Sequence, residues 1–225
     1  MRLRIVRKLW FPLTMGLLAI TAIEGHAESG NLQKVEFDEA TLDEIIGFFR
    51  SGAGSGGKTR NILLDPRINK DTKVSLRLHD VSRGVAFAYV AEIAGFDYRE
   101  EKHALRLFPL KGEKPPVRSF LKRGGPMTWR RASGMQMPKV EFESTELSEI
   151  VNDITAASRH LDPKKKGLNI ILGHGVDPTT PVTLSLRNVP VSTVLKYVAE
   201  FARLKLRADG SAIVLMTRPQ AERSE

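Results

Sequence analysis

The 225-residue sequence predicts an α+β fold: two tandem β-α-β-β-α-β-β domains joined by a basic linker rich in proline and glycine. Three observations carry this. The first is a long internal repeat. "KVEFDEATLDEII" (34–46) returns as "KVEFESTELSEIV" (139–151), 105 residues on. "NILLDPRINKDTKVSLRLHDV" (61–81) and "AFAYVAEIAGFDYR" (86–99) return 108 residues on as "NIILGHGVDPTTPVTLSLRNV" (169–189) and "VLKYVAEFARLKLR" (194–207). Shared order, spacing and apolar positions mark two copies of one domain, too few for a solenoid. Second, hydrophobic periodicity inside each copy switches between strand-like and helix-like. Third, the stretch between the copies has no periodicity.

In order along a copy, Val35 and Phe37, like Val140 and Phe142, alternate with charged residues, as in a strand with one buried face. Leu42, Ile45, Ile46 and Phe49 fall at i, i+3, i+4 and i+7; Leu147, Ile150, Val151 and Ile154 repeat that stripe, so an amphipathic helix follows. Ile62-Leu63-Leu64 and Ile170-Ile171-Leu172 are wholly apolar runs, expected as inner strands. Val74, Leu76 and Leu78 alternate with Lys73, Ser75 and Arg77, as Val182, Leu184 and Leu186 do with Thr183, Ser185 and Arg187. Each is a strand with one wet face. Pro190 is expected at the first position of the next helix, where no N–H is needed. Val191, Val194, Leu195, Val198 and Ala202 form that helix's apolar face. Its counterpart at 85–94 is apolar nearly all round and should be buried on more than one side. Strand pairs 96–99 with 104–108 and 204–207 with 212–216 close the copies, and 212–216 is the expected open sheet edge.

The flanks complete the organisation. Residues 1–27 read as an export signal, with Arg2, Arg4, Arg7 and Lys8 before an apolar run and Gly25-His26-Ala27 at the cleavage end. The alternative is an uncleaved anchor, but Pro12 and Thr14 interrupt a run shorter than the ~20 residues of a span. A lipid-anchored form is excluded, because the chain has no cysteine. Domain one is then 28–108, the linker 109–138, domain two 139–217 and a polar tail 218–225. The net charge of +9 is uneven: the linker alone holds seven bases and one acid, while each domain is close to neutral. The linker reads as a solvated tether. Its alternative is an interaction segment anchored by Trp129, Arg130 and Arg131, residue types common at binding hot spots.

Chemistry is sparse. "GAGSGGKT", Gly52 to Thr59, fits the phosphate-loop pattern G-x-x-x-x-G-K-[ST]. A working phosphate loop runs from strand into helix, so that helix amides face the phosphate. Here the expected order is helix, loop, strand, and the second copy has "SRHLDPKKKGL" instead, so nucleotide binding is not expected. His79, His103, His160 and His174 lack metal-ligand spacing. The acids Glu36, Asp38, Glu39, Asp43 and Glu44, with Glu141, Glu143, Glu146 and Glu149, gather where a helix start favours carboxylates. No catalytic residue, cofactor or metal is expected.

The ordered set "VEF", "NILLD", "VSLRLHDV" and "AFAYVAEIAGFDYR", with "VTLSLRNVP" (182–190) in the second copy, resembles the short N-terminal domain shared by secretins and TonB-dependent receptors. The resemblance covers both copies and leaves out the linker. Copy two departs from it with Arg203-Leu204 in place of Gly95-Phe96. No pore or barrel segment follows in the sequence. The resemblance implies a non-enzymatic periplasmic interaction module, an adaptor whose partners are envelope proteins such as a secretin-type channel or TonB-dependent components. It would reach the outer membrane only through them. A polyanion-binding protein working through the basic linker is the alternative; nucleic acid is the less favoured polyanion.

Overall fold

A computed structural model describes residues 21–23, 31–51, 61–110 and 118–218. Most of the expected leader, the glycine loop 52–60 and the tail beyond Arg218 lie outside the described residues. The first copy runs β1 (Thr21–Ile23), β2 (Asn31–Thr41), α1 (Leu42–Arg50), β3 (Ile62–Leu64), β4 (Lys73–Ser82), α2 (Arg83–Ala94), β5 (Phe96–Glu100) and β6 (Leu105–Pro109). Then come α3 (Ser119–Lys122) and α4 (Gly125–Gly134). The second copy follows with β7 (Gln136–Glu146), α5 (Leu147–Leu161), β8 (Ile170–Leu172), β9 (Pro181–Pro190), α6 (Val191–Phe201), β10 (Leu204–Ala208) and β11 (Ile213–Thr217). The fold is α+β, and from β2 and β7 onward each copy has the expected β-α-β-β-α-β-β order.

Each copy holds two small sheets. In the first, β2 pairs antiparallel with β4 on one side and β1 on the other, while β6 lies between parallel β3 and antiparallel β5. In the second, β7 pairs with β9, and β11 lies between β8 and β10. Helix α2 packs against β2 and β4 of one sheet and β5 of the other. That is why every side chain from Ala86 to Glu92 is buried, as its apolar sequence requires.

The repeat extends to backbone detail. Register slips between Phe37 and Ala40 in β2 and between Phe142 and Thr145 in β7. At each slip one residue takes a left-handed conformation, Glu39 at φ 50° and Ser144 at φ 45°. A hydroxyl on the neighbouring strand accepts each displaced N–H: Ser75 Oγ from Glu39 at 3.0 Å, and Thr183 Oγ1 from Ser144 at 2.9 Å. Such bulges turn a strand locally, here just before the first helix of each copy.

Four expectations are corrected. Among the described residues, β3 and β8 are edge strands with a partner on one side only, and Leu63 is 47% exposed; the apolar runs serve a single buried residue in β3 and two in β8. β11 is the central strand of its sheet, which explains why Ile213, Val214 and Leu215 are all fully buried, so it offers no open edge. Pro190 ends β9 as the N-cap of α6, one residue before the helix, with extended dihedrals. Finally, 109–138 is not a tether throughout. The chain divides into compact units between Leu121 and Lys122, Leu121 is 2% exposed, and the stretch from Gly125 onward is folded into the second copy.

Candidate partner-binding site

Trp129, Arg130 and Arg131 lie on α4. Gly124, left-handed at φ 83°, turns the chain into the helix, and Pro126 suits its first turn. The helix buries Gly125, Thr128 and Ala132, spaced three and four apart, so a stripe of small residues brings its backbone close to its neighbours. At Gly125 the approach is extreme: a Cβ there would sit 2.1 Å from the Ala208 carbonyl oxygen. Thr128 Oγ1 donates to the Gly210 carbonyl at 3.0 Å. Trp129 packs half-buried on the second core, with the Lys196 ammonium 5.7 Å from its ring centroid.

Arg131 latches the helix to the loop after α5. Its guanidinium donates to the Asp162 carboxylate at 3.0 Å and to the Gly167 carbonyl at 2.6 Å. Asp162 is 5% exposed and also accepts the backbone N–H groups of Lys164 and Gly167 at 3.0 and 2.9 Å. Burial opposes its ionisation, but those amides and the Arg131 hydrogen bond and charge outweigh it and hold the carboxyl below its ordinary range. Two of the three expected anchors therefore hold the fold together. Arg130 is exposed, as are Lys122 and Arg123, and Arg131 stays exposed beside its ion pair. On the first copy Arg118 is likewise engaged, pairing with Asp97 and the Tyr98 carbonyl.

Several of the acids near the helix starts have local partners too. Glu44 and Thr41 form a capping box: the Thr41 N–H donates to Glu44 Oε2 at 2.8 Å, and Thr41 Oγ1 accepts the Glu44 N–H at 3.3 Å. The Thr41 hydroxyl lowers the Glu44 carboxyl from its usual value. For Glu36, burial pulls upward, but the Lys34 hydrogen bond and Arg77 charge lower it on balance. The glycine loop is entered from α1 and left into β3, the reverse of a phosphate loop. Among the described residues no group of three or more His, Asp and Glu is placed to hold a metal ion, and no helix is long and apolar enough to cross a membrane.

What the sequence did not disclose is a strand edge. In the first copy, residues 21–23 add to β2 opposite Lys34, Val35 and Glu36. In the second, among the described residues, β7 pairs with β9 alone, leaving its other side without a strand. The outer face there carries the ion pair of Lys139 with Glu141 at 2.6 Å, the counterpart of Lys34 with Glu36.

No protein-family profile and no curated protein matches the chain. Among solved structures, a crystal structure of a Parabacteroides distasonis protein provisionally assigned as an anti-sigma factor is similar over 65% of this chain and 67% of its own. Identity is 13% and the TM-score 0.29, a likeness too slight to carry fold or function across.

Proposed function

We propose that the chain is an exported, non-enzymatic protein-interaction module, an adaptor of two secretin/TonB-short-domain-like units serving an envelope secretion or uptake system. The observation that supports it is β1 itself, a short extended segment added to the free side of β2 by main-chain pairing. The same side of β7 has no such strand among the described residues, and an open edge is a template for a partner's strand. Signal cleavage after Ala27 would release residues 21–23 and make the two edges alike.

The test places a photo-crosslinking amino acid at Lys139 or Glu141 on the β7 edge, and at Glu200 on α6 as a control, in the full chain expressed with its leader. Defined crosslinks to an envelope protein from the two edge positions but not from Glu200 are expected. Equal crosslinking from all three sites, or retention in the cytosol, would sink the reading. In the polyanion alternative, Arg118 and Arg131 are already paired with Asp97 and Asp162. That alternative predicts instead that Lys122→Gln, Arg123→Gln and Arg130→Gln together abolish capture, with steep salt dependence.

A further inference from the structure

The two copies differ at one place where a ligand would sit. In the second copy, α4 fills the groove between α6 and β10. Ser133 Oγ lies 3.0 Å from Ser192 Oγ at the start of α6, the Met135 carbonyl accepts the Val191 N–H at 2.9 Å, and Ala132 is fully buried beneath. The residue standing where Ser192 stands in the repeat is Gly84, 108 residues earlier, in the first turn of α2. Phe87, Tyr98 and Phe108 likewise match Leu195, Leu206 and Met216.

In the first copy, among the described residues, this groove holds no helix. It is a cavity of about 750 Å³, lined by Gly84, Phe87, Tyr98, Phe108, Arg83 and, at its rim, Phe120, which is 41% exposed. None of the described segments fills it. Downstream, Arg118 covers only the β5 side, its guanidinium 4.2 Å from the Tyr98 ring centroid. Upstream, α4 leads directly into β7, whereas Thr21–Ile23 before β2 pair with β2 in the full chain and would leave with the signal on cleavage. The volume lies in the range of ligand pockets, and aromatic walls with a few polar groups are their usual composition.

We propose that the groove between α2 and β5 is a docking site for one short amphipathic helix of a partner protein, seated as α4 is seated on the second copy. Helical form follows from the occupant of the matching groove. A bulky apolar face follows from the aromatic rings around a cavity left open. A carboxylate on the flank follows from the lining charge: with Arg118 paired to Asp97, Arg83 and Arg99 against Glu100 leave one positive charge in excess. The mode is helix-in-groove, separate from strand addition at β7.

Gly84 supplies the decisive variant. A Cβ there meets nothing within 4 Å and its φ is not positive, so Gly84→Trp starts without a backbone clash and its indole is expected to occupy the groove. The probe is a capped synthetic peptide of residues 124–135 carrying Thr128→Leu and Ala132→Leu for the bulky face, alongside its Arg130→Glu, Arg131→Glu version, titrated into the isotope-labelled full chain. Expected are saturable amide shifts at Gly84, Phe87 and Tyr98 with Kd below about 1 mM, tighter for the acidic peptide. Gly84→Trp should weaken binding at least about ten-fold, a loss of about 1.4 kcal/mol. It should leave crosslinking at Lys139 unchanged, so failure of this site and of the strand edge are distinguishable. No saturable shift at about 1 mM peptide, shifts indifferent to Gly84→Trp, or shifts confined to the surroundings of Ser192 through exchange with α4, each overturn the proposal.

Discussion

The first copy fills its interior with rings and the second with aliphatic side chains plus a borrowed helix. Phe37, Phe48, Phe49, Phe87, Phe96 and Tyr98 form a chain of mostly edge-to-face contacts, with Phe49 and Phe87 centroids 5.0 Å apart. At the equivalent positions the second copy places Ile154 for Phe49, Leu195 for Phe87 and Leu206 for Tyr98. Arg83 reinforces the aromatic cluster, its guanidinium lying over both Phe48 and Phe49 and donating to their carbonyls. The second copy closes the corresponding region with α4 and the Arg131–Asp162 latch. One backbone, down to its bulges, thus admits two ways of completing a core. Among the described residues, only the second copy completes its core with a helix from outside the repeat.

The sharpest way to break this contrast is to remove α4. A fragment of residues 137–225 starts at the boundary the repeat alone would suggest; one of residues 122–225 keeps the helix. The short form loses the buried Ala132 and Met135, the packing of Trp129 and the partner of Asp162. Large core deletions cost about 2–5 kcal/mol each, so the short form should be less stable by about 4 kcal/mol or fail to fold. Urea titration of the two fragments decides it. Equal midpoints would mean that α4 merely rests on the surface.

The latch gives a smaller effect with a pH signature. Asp162 has a folded carboxyl lowered from its usual value. A depressed acid contributes stability that is fully present above its unfolded pKa, about 3.9, and is lost as pH falls through the lower folded value. Arg131→Met should cost about 1–2 kcal/mol at pH 7, because a mostly buried carboxylate loses its charged partner while keeping two amides. It should cost less at acid pH, once the carboxyl is protonated. Unfolding of the second copy followed at pH 7 and in the acid range checks the sign. A penalty that grew on acidification would refute the latch.

The same contrast explains what was legible in the sequence. Alternation at Val74, Leu76 and Leu78, the stripe from Leu42 to Phe49 and the repeated motifs reported every element of the shared fold, because burial of large apolar side chains sets those periods. Helix α4 was invisible to that reading. Its buried face is Gly125, Thr128 and Ala132, and residues buried for their smallness leave no hydrophobic stripe. Pro126 reads as a breaker unless it is taken as a first-turn residue, the one signal present. Strand order was hidden for a different reason: apolar runs at β3, β8 and β11 report burial, whereas centre or edge depends on pairing between distant segments. The unfilled groove was hidden likewise, since it appears only when the copies are compared residue by residue in space.

The smallest expected effect tests whether the two copies are interchangeable at a single backbone position. Helix α2 ends at Gly95 with φ 73°, and the second copy puts Arg203 at the matching place with φ 56°. For an L-residue with a Cβ that left-handed conformation costs roughly 1–2 kcal/mol, whereas glycine adopts it freely. Glycine gives back part of the gain through its more flexible unfolded chain, roughly 0.4–1 kcal/mol. Arg203 is exposed, so little packing is lost with its side chain. Arg203→Gly should therefore stabilise the second copy by about 0.5 kcal/mol, and Gly95→Arg should destabilise the first by about the same amount or slightly more, since Gly95 is less exposed than Arg203. Paired denaturation curves with unchanged slope would measure both. If Arg203→Gly instead lowered the midpoint, the arginine would be making a contact that outweighs its backbone strain, and the two helix ends would not be equivalent.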